Sequence, residues 1–411
     1  MTRRRDILRW AAAALSGAAL ASGARAARVA HAAPPGPRRS GPRYFLSIYL
    51  SGGIDAIFTT DPRTPADVEP GVDVPYGRDE IVEAGALRLG PTFAPFAKVA
   101  GRMAIVNGVG LRTANHNTGA EQFLRMKTGT VAEMPSLLQL LGEQRDGQAV
   151  GCMDWLFGAA QFDRLFGGTP PDDLRRLGAA LRAQAARVLG DGSSPQRRVT
   201  AGSLLESAEL FDRVAGLPPL RPVVWSADLA SQQLAVALQR VLWLFENDLT
   251  RCFELNVGGL EQPWDTHTFN AERQRSASAP LAMIARFLGE LSLRRGRRGP
   301  LSGETLVVMG SEIGRFPRLN GAGGKDHFPE APAVMFGAGV NTGGGKGAVY
   351  GRTGKNMAAL PISLRTGAAA ATGGHSLLLD DLGATLLYLG GVADPTVYGY
   401  EGRILDFLVG A

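Results

Sequence analysis

Tyr44-Phe45-Leu46-Ser47-Ile48-Tyr49-Leu50-Ser51-Gly52-Gly53-Ile54-Asp55 is the stretch on which the fold turns. Its first seven residues are aromatic, branched or small and carry no charge, the composition of a buried strand. The strand runs straight into two glycines and a carboxylate. In an open α/β sheet, ligands bind outside the carboxyl ends of the strands, so Asp55 is placed on the functional edge.

Working outward, the same rhythm repeats. Met103 to Val106 reads as a second short strand ending in a Gly-rich turn, and the polar segment from Asn115 leads into a helix around Glu121 to Lys127. From Pro135 to Asn256 the apolar residues recur at spacings of three and four, predicting helices over Ser136–Glu143, Asp172–Leu189, Gly202–Val214 and Ala227–Asp248. Gly190–Ser194 and Pro218–Pro222 break them, and residues 135–250 read as a helical insertion or cap. Strand character returns at Cys252–Val257, a helix is predicted from Ala279 to Leu293, and Thr305–Met309 and Ala333–Gly337 read as central parallel strands. A Gly-rich loop over Gly337–Gly354 and a closing helix over Ser376–Leu389 complete an α/β domain spanning residues 44–411.

The N-terminus has a different character. Arg3-Arg4-Arg5-Asp6-Ile7-Leu8-Arg9 holds a twin arginine ahead of an uncharged apolar run, Trp10–Ala21, with small-x-small sites at Ala24-Arg25-Ala26 and Ala30-His31-Ala32. A membrane-spanning helix needs about 20 apolar residues, so the run has the length of a signal-peptide hydrophobic region. The expectation is a twin-arginine signal peptide over residues 1–33, a Pro/Arg/Gly-rich linker over 34–43, the twin-arginine translocase as partner, and a periplasmic or secreted location without a permanent membrane span. Residues 1–33 carry six Arg against one Asp, so their removal takes the formal net charge from +6 to +1. That leaves no electrostatic footprint for nucleic acid, and Arg294-Arg295-Gly296-Arg297-Arg298 reads as a solvated helix end. The two cysteines, Cys152 and Cys252, are either a bridge or two separate buried thiols, and the spacing does not choose between them. No Cys/His zinc-knuckle spacing occurs, so any metal is held by His and carboxylates.

Beyond residue 33 only four histidines remain: His116, His267, His327 and His375. In Trp264-Asp265-Thr266-His267 a carboxylate and an imidazole two apart point to one side of an extended segment. Asp326-His327 places the same two ligand types side by side. If the strands at Cys252–Val257 and Thr305–Met309 run parallel to the first, then Asp265, His267, Ser311 and Glu312 reach the edge that Asp55 occupies. The mixture of oxygen and nitrogen donors suits zinc or manganese, with calcium or magnesium favoured if few histidines bind.

Leu50-Ser51-Gly52-Gly53-Ile54-Asp55, Trp264-Asp265-Thr266-His267, Ser311-Glu312-Ile313-Gly314-Arg315 and Gly324-Lys325-Asp326-His327, in this order, resemble the secreted family of unknown function numbered fifteen-oh-one, of the alkaline phosphatase/sulfatase superfamily. The resemblance implies a central, mostly parallel sheet with helices on both faces, one or two divalent ions (zinc, manganese or calcium) and a hydroxyl nucleophile at a helix N-terminus. Carried over, Asp55 resembles the carboxylate that holds one metal, Asp265 and His267 the pair on the other, and His327, with Asp326 as ligand or orienting group, the residue completing the second site. Glu312 stands where relatives show an Asp-His pair, and the following residue is Ile313. In Asn115-His116-Asn117-Thr118-Gly119, Thr118 is the candidate nucleophile and His116 a proton donor or ligand. His375 is a candidate ligand or helix cap, and Arg315 and Lys325 are candidate anion clamps. The implied activity is metal-dependent hydrolysis of phosphate or sulfate esters, with a small-molecule or glycan ester as substrate. The alternative is a binding or accessory protein that keeps the fold without turnover.

Overall fold

The computed structural model describes residues 41–154, 169–190, 194–257, 264–370 and 372–410. The signal-peptide and cleavage readings over residues 1–33 lie outside the described residues, as does the linker up to residue 40.

The opening stretch forms β1 (Tyr44–Tyr49), buried along its whole length. It lies inside a seven-stranded sheet. The small ribbon β2 (Val82–Ala84) and β3 (Leu87–Leu89) precedes a 3-10 helix (Pro91–Arg102) and β4 (Met103–Gly110). Helices α1 (His116–Arg125) and α2 (Leu137–Gly142) lead to β5 (Val150–Asp154), and α3 (Pro171–Gly190), α4 (Pro195–Ala215) and α5 (Leu229–Glu246) lead to β6 (Thr250–Asn256). Helices α6 (Asn270–Ser276) and α7 (Ser278–Leu293) connect to β7 (Thr305–Gly310). The ribbon β8 (Gly314–Arg315) and β9 (His327–Phe328), then β10 (Glu330–Gly337), β11 (Ala348–Tyr350) and α8 (Leu379–Leu389), complete the chain.

The strand order is β11-β4-β10-β7-β1-β6-β5. Both neighbours of β1 are parallel to it: Tyr49 aligns with Asn256 on one side and Gly310 on the other. The segments that follow β1, β6 and β7 therefore emerge at the same sheet edge, as the grouping of Asp265, His267, Ser311 and Glu312 required. Strand β10 departs from expectation, running antiparallel to both β7 and β4. The reason is the connection: a parallel partner needs a crossover, usually helical, whereas β7 and β10 are joined by the two-stranded β8–β9 ribbon, which returns the chain beside its own strand. The stretch expected as pure loop also contains β11, three residues on the sheet margin, too short to show a period.

Helices cover both faces. Tyr44 stacks on Phe245 of α5 and Tyr49 stacks on Phe123 of α1, with ring centroids 4.9 Å and 5.1 Å apart. Residues an odd number apart on a strand point to opposite faces, so α5 and α1 lie on opposite sides of β1. The region expected as a helical insertion contributes α2 to α5, but it also supplies edge strand β5, parallel to β6. Within that pair Cys152 aligns with Cys252, and no disulfide joins them.

At the N-terminal end of the sheet, Arg43 is buried rather than part of a loose linker. Its Nε and Nη2 donate to Asp248 at 3.0 Å and 2.5 Å. Tyr44 Oη and Gln148 Nε2 also donate to this carboxylate, each at 2.9 Å, and Arg297 donates at 3.3 Å. Arg297 reaches this network from the exposed end of the helix, and the run Arg294 to Arg298 is solvated as expected. Among the described residues no helix is long and apolar enough to cross a membrane.

Candidate metal centre

Gly52 follows β1 at φ 126°, and a Cβ there would stand 2.7 Å from the backbone nitrogen of Asp265. Only glycine fits such a position, so the turn after β1 lets the segment after β6 approach closely. That segment is extended and hydrogen-bonded to the loop ahead of β9: Lys325 N donates to Thr266 O at 2.8 Å, and Asn320 Nδ2 donates to His267 O at 3.1 Å. Gly324 makes the contact possible, because a Cβ on it would sit 2.0 Å from the carbonyl carbon of His267. The alternation read from sequence holds here, with Thr266 fully buried between the partly exposed Asp265 and His267.

Four side chains converge at this edge. One ligand atom each from His116, Asp265, His267 and His327 lies within 4.8 Å of all the others. His116 is the first residue of α1, His267 follows β6, and His327 pairs with Arg315 across the β8–β9 ribbon. The Nε2 atoms of His267 and His327 are 2.8 Å apart, and the rings of His116 and His327 meet edge to face at 4.3 Å.

Each imidazole is held through its other nitrogen. His116 Nδ1 donates to Glu312 Oε1 at 2.7 Å, and His327 Nδ1 donates to the carbonyl of Ala114 at 2.6 Å. His267 Nδ1 lies 3.4 Å from Asp326 Oδ1. These contacts assign the Nδ1 proton and leave Nε2 as the lone-pair atom, the arrangement that orients histidines around metals. Two Nε2 lone pairs facing each other at 2.8 Å repel unless a proton or a cation stands between or beside them.

The surroundings favour the metal-binding forms of His327 and Asp265. Burial pushes the His327 imidazole below the usual histidine range; the Ala114 contact opposes this, and the charges of His116, Arg315 and His267 add to it. Burial raises the Asp265 carboxyl, but the hydrogen bond and charge of Arg315, helped by the nearby histidines, outweigh it and hold it below the usual range. Asp326 is lowered by its hydrogen bond from Asn320 and, further, by His267.

The remaining residues singled out from sequence are placed apart from the four. Glu312, expected as a ligand, is buried behind His116 and also accepts from Gly52 N at 2.8 Å and Ser311 Oγ at 2.6 Å. Asp326 also stands behind its histidine, His267, but is exposed and 3.4 Å away. Asp55 faces inward: its Oδ1 accepts from Ile57 N at 3.0 Å and its Oδ2 from Asn270 Nδ2 at 3.1 Å and Lys325 Nζ at 2.9 Å. His375 Nε2 meets Asp381 Oδ2 at 2.8 Å, at the start of α8. Of the candidate clamps, Lys325 is committed to Asp55. Arg315 donates to Asp265 Oδ1 at 2.8 Å, to Lys325 O at 2.9 Å and to Gly52 O. Thr118 is exposed at the third position of α1, where its backbone nitrogen is capped by Asn115 Oδ1 at 3.1 Å. Asn270 and Asp73, which surround Lys325, carried no sequence signal, since each is an ordinary loop or helix-start residue until the chain is folded.

Residues 243–404 match the model of a family described as "Protein of unknown function (DUF1501)". The matched segment carries Asp265, His267, Glu312, Arg315, Lys325 and His327, while Asp55 and His116 precede it. No curated protein matches the chain. Among solved structures, a protein of the alkaline phosphatase superfamily from Vibrio parahaemolyticus is similar at TM-score 0.39 and 12% identity, covering 94% of this chain and 78% of that one. A putative sulfatase from Bacteroides thetaiotaomicron is similar at TM-score 0.39 and 12% identity, covering 90% and 75%. The soluble domain of lipooligosaccharide phosphoethanolamine transferase A from Neisseria meningitidis gives 0.38 and 12%, covering 92% and 96%. These are likenesses of fold, and the roles of the residues here rest on their own geometry.

Proposed function

We propose that the chain is a metal-dependent hydrolase of phosphate or sulfate esters. The observation that supports this most directly is the set of three imidazoles, each fixed through Nδ1, whose partly exposed ring edges converge with Asp265 on one point. Three nitrogens and one carboxylate are a donor set for zinc or manganese rather than calcium. His116, Asp265, His267 and His327 would hold one such ion, and when bound it would supply Lewis-acid polarisation of an ester oxygen.

The chain's own residues have separable tasks in this reading. Glu312, Ala114 and Asp326 orient the imidazoles, and Arg315 fixes the Asp265 carboxylate. Because α1 begins at His116, the positive end of its dipole faces the cluster and favours an anionic group there. Thr118, two residues on, is the candidate nucleophile that this end would activate. Export through the twin-arginine translocase to the periplasm or beyond belongs to the same reading and rests on residues 1–33.

Protein purified without chelator and equilibrated with zinc or manganese is expected to hold one ion per chain, with His267→Ala and His327→Ala holding none. The wild type should then hydrolyse p-nitrophenyl phosphate or sulfate, and Thr118→Ala should lose turnover while keeping the ion. A wild type that stays metal-free after reconstitution ends this reading. A second reading, a metal-containing binding or accessory protein, is favoured by one observation: Arg315 and Lys325 are both committed internally, so neither is left to neutralise an ester's anionic oxygens. Bound metal with no turnover on either ester series would favour that reading.

A further inference from the structure

The resemblance assigns Asp55 to a metal, and the structure gives it a different cation. Lys325 is fully buried, with Nζ 2.9 Å from Asp55 Oδ2 and 3.6 Å from Asp73 Oδ2. It also lies 3.4 Å from the backbone oxygen of Asp73 and 5.8 Å from the centroid of the Phe58 ring. Both oxygens of Asp55 are engaged, one by Ile57 N and the other by Lys325 and Asn270. A divalent ion has no place on this carboxylate while Lys325 is there.

The oxygens around the ammonium nevertheless make a cation cradle. Two carboxylates and a backbone carbonyl face Nζ. Asn270, itself fully buried, holds Asp55 through its amide nitrogen while its Oδ1 has no hydrogen-bond partner among the described residues; Asp73 Oδ2 also lacks one. Carboxylate and backbone carbonyl oxygens, the groups that face Nζ here, are donors that calcium and manganese take. With the ammonium removed, the buried Asp55 carboxylate and the partly buried Asp73 carboxylate would face each other without compensation, a costly state that binding a cation relieves.

We infer that Lys325 is a tethered cation standing where a second divalent ion would otherwise bind, so that the protein holds a single ion, at the histidine cluster. The single-ion part rests on the metal reading given above. The lysine joins the loop ahead of His327 to the turn after β1, so it also couples the two halves of the site without a second ion to load.

The test counts ions by elemental analysis in wild type, Asp55→Asn, Lys325→Ala and the double variant, each equilibrated with manganese and calcium and then gel-filtered. One ion is expected in the wild type and in Asp55→Asn, two in Lys325→Ala, and one again in the double variant. Calcium should raise the Tm of Lys325→Ala and leave that of the wild type unmoved. Two ions in the wild type, loss of an ion in Asp55→Asn, or a folded Lys325→Ala that gains none would each overturn the inference. If Lys325→Ala does not fold, the wild type and Asp55→Asn decide it: one ion in both supports the inference, and two in the wild type ends it. A wild type with no ion overturns the hydrolase reading instead, while a gain of one ion in Lys325→Ala still supports the cradle.

Discussion

Two carboxylate centres stand at opposite ends of β1, and they are built on opposite plans. At the N-terminal end, Asp248 takes donors from Arg43, Tyr44, Gln148 and Arg297, so each of its oxygens is met by a proton from the protein itself. At the C-terminal end, Glu312, Asp326 and Asp265 are also satisfied, but the histidines beside them are backed on one nitrogen and left open on the other. The first centre closes on itself. The second directs its lone pairs outward to a common point, and this difference separates a structural ion-pair network from a candidate binding site when both show buried charge and short contacts.

The contrast can be broken by substitution at either end. The largest effect is expected from Asp248→Ala, which removes the buried anion beside the Arg43 guanidinium and leaves it to the more exposed Asp146, whose carbonyl accepts from Nη2 at 2.8 Å. Removing one partner of a buried pair costs about 3–5 kcal/mol, seen as a large fall in Tm with metal content per folded chain unchanged. His327→Ala comes next, weakening metal binding by more than the roughly 100-fold that loss of a backing group alone costs, as read by competition with a chromophoric chelator. Glu312→Gln keeps the shape but removes the charge behind His116, and affinity should fall by about 10–100-fold.

A pH titration of the metal-free protein sharpens the same comparison. Because the folded His327 imidazole is held below its ordinary value, the unfolded chain binds its proton first as pH falls below about 6.5. This histidine's contribution to stability therefore falls as pH drops through that value and stops changing below the folded pKa. Chemical denaturation at stepped pH, compared with His327→Gln, should show a slope there that the variant lacks. The smallest effect is expected at His375→Ala. Asp381 retains its bonds from Leu378 N and Arg403 N, so the loss should be about 0.5–1.5 kcal/mol, with metal content unmoved. Loss of the ion in this variant would bring His375 back into the site.

The sequence carried the sheet well where local composition decides it. β1 and β7 are short apolar runs, while β6 is mixed and carries Arg251 and Glu254; their parallel order is assumed from sequence, and the long connections between them favour it. β10 shows the limit, since an apolar run has the same composition in either direction and only the connecting ribbon fixes its sense. In the site, spacing placed Asp265 and His267 on one side because extended backbone alternates. The order of contact was not readable: Glu312 and Asp326 are ligand types beside the cluster, yet each faces a histidine's Nδ1. Nor was Lys325, whose partner Asp55 lies 270 residues away and whose charge reads as surface until the fold buries it.

Arg43 is the point at which the described chain enters the sheet, and it is pinned at the pole farthest along β1 from the histidines. Six strand residues at about 3.3 Å each, together with the turn that follows, separate the two ends by more than about 20 Å. Anything joined ahead of Arg43, whether a purification handle or a solid support, is therefore anchored on the far side of the molecule. The protein can be immobilised through that end with its histidine cluster on the side away from the support, which makes surface-based tests of metal and ester binding practical on the intact chain.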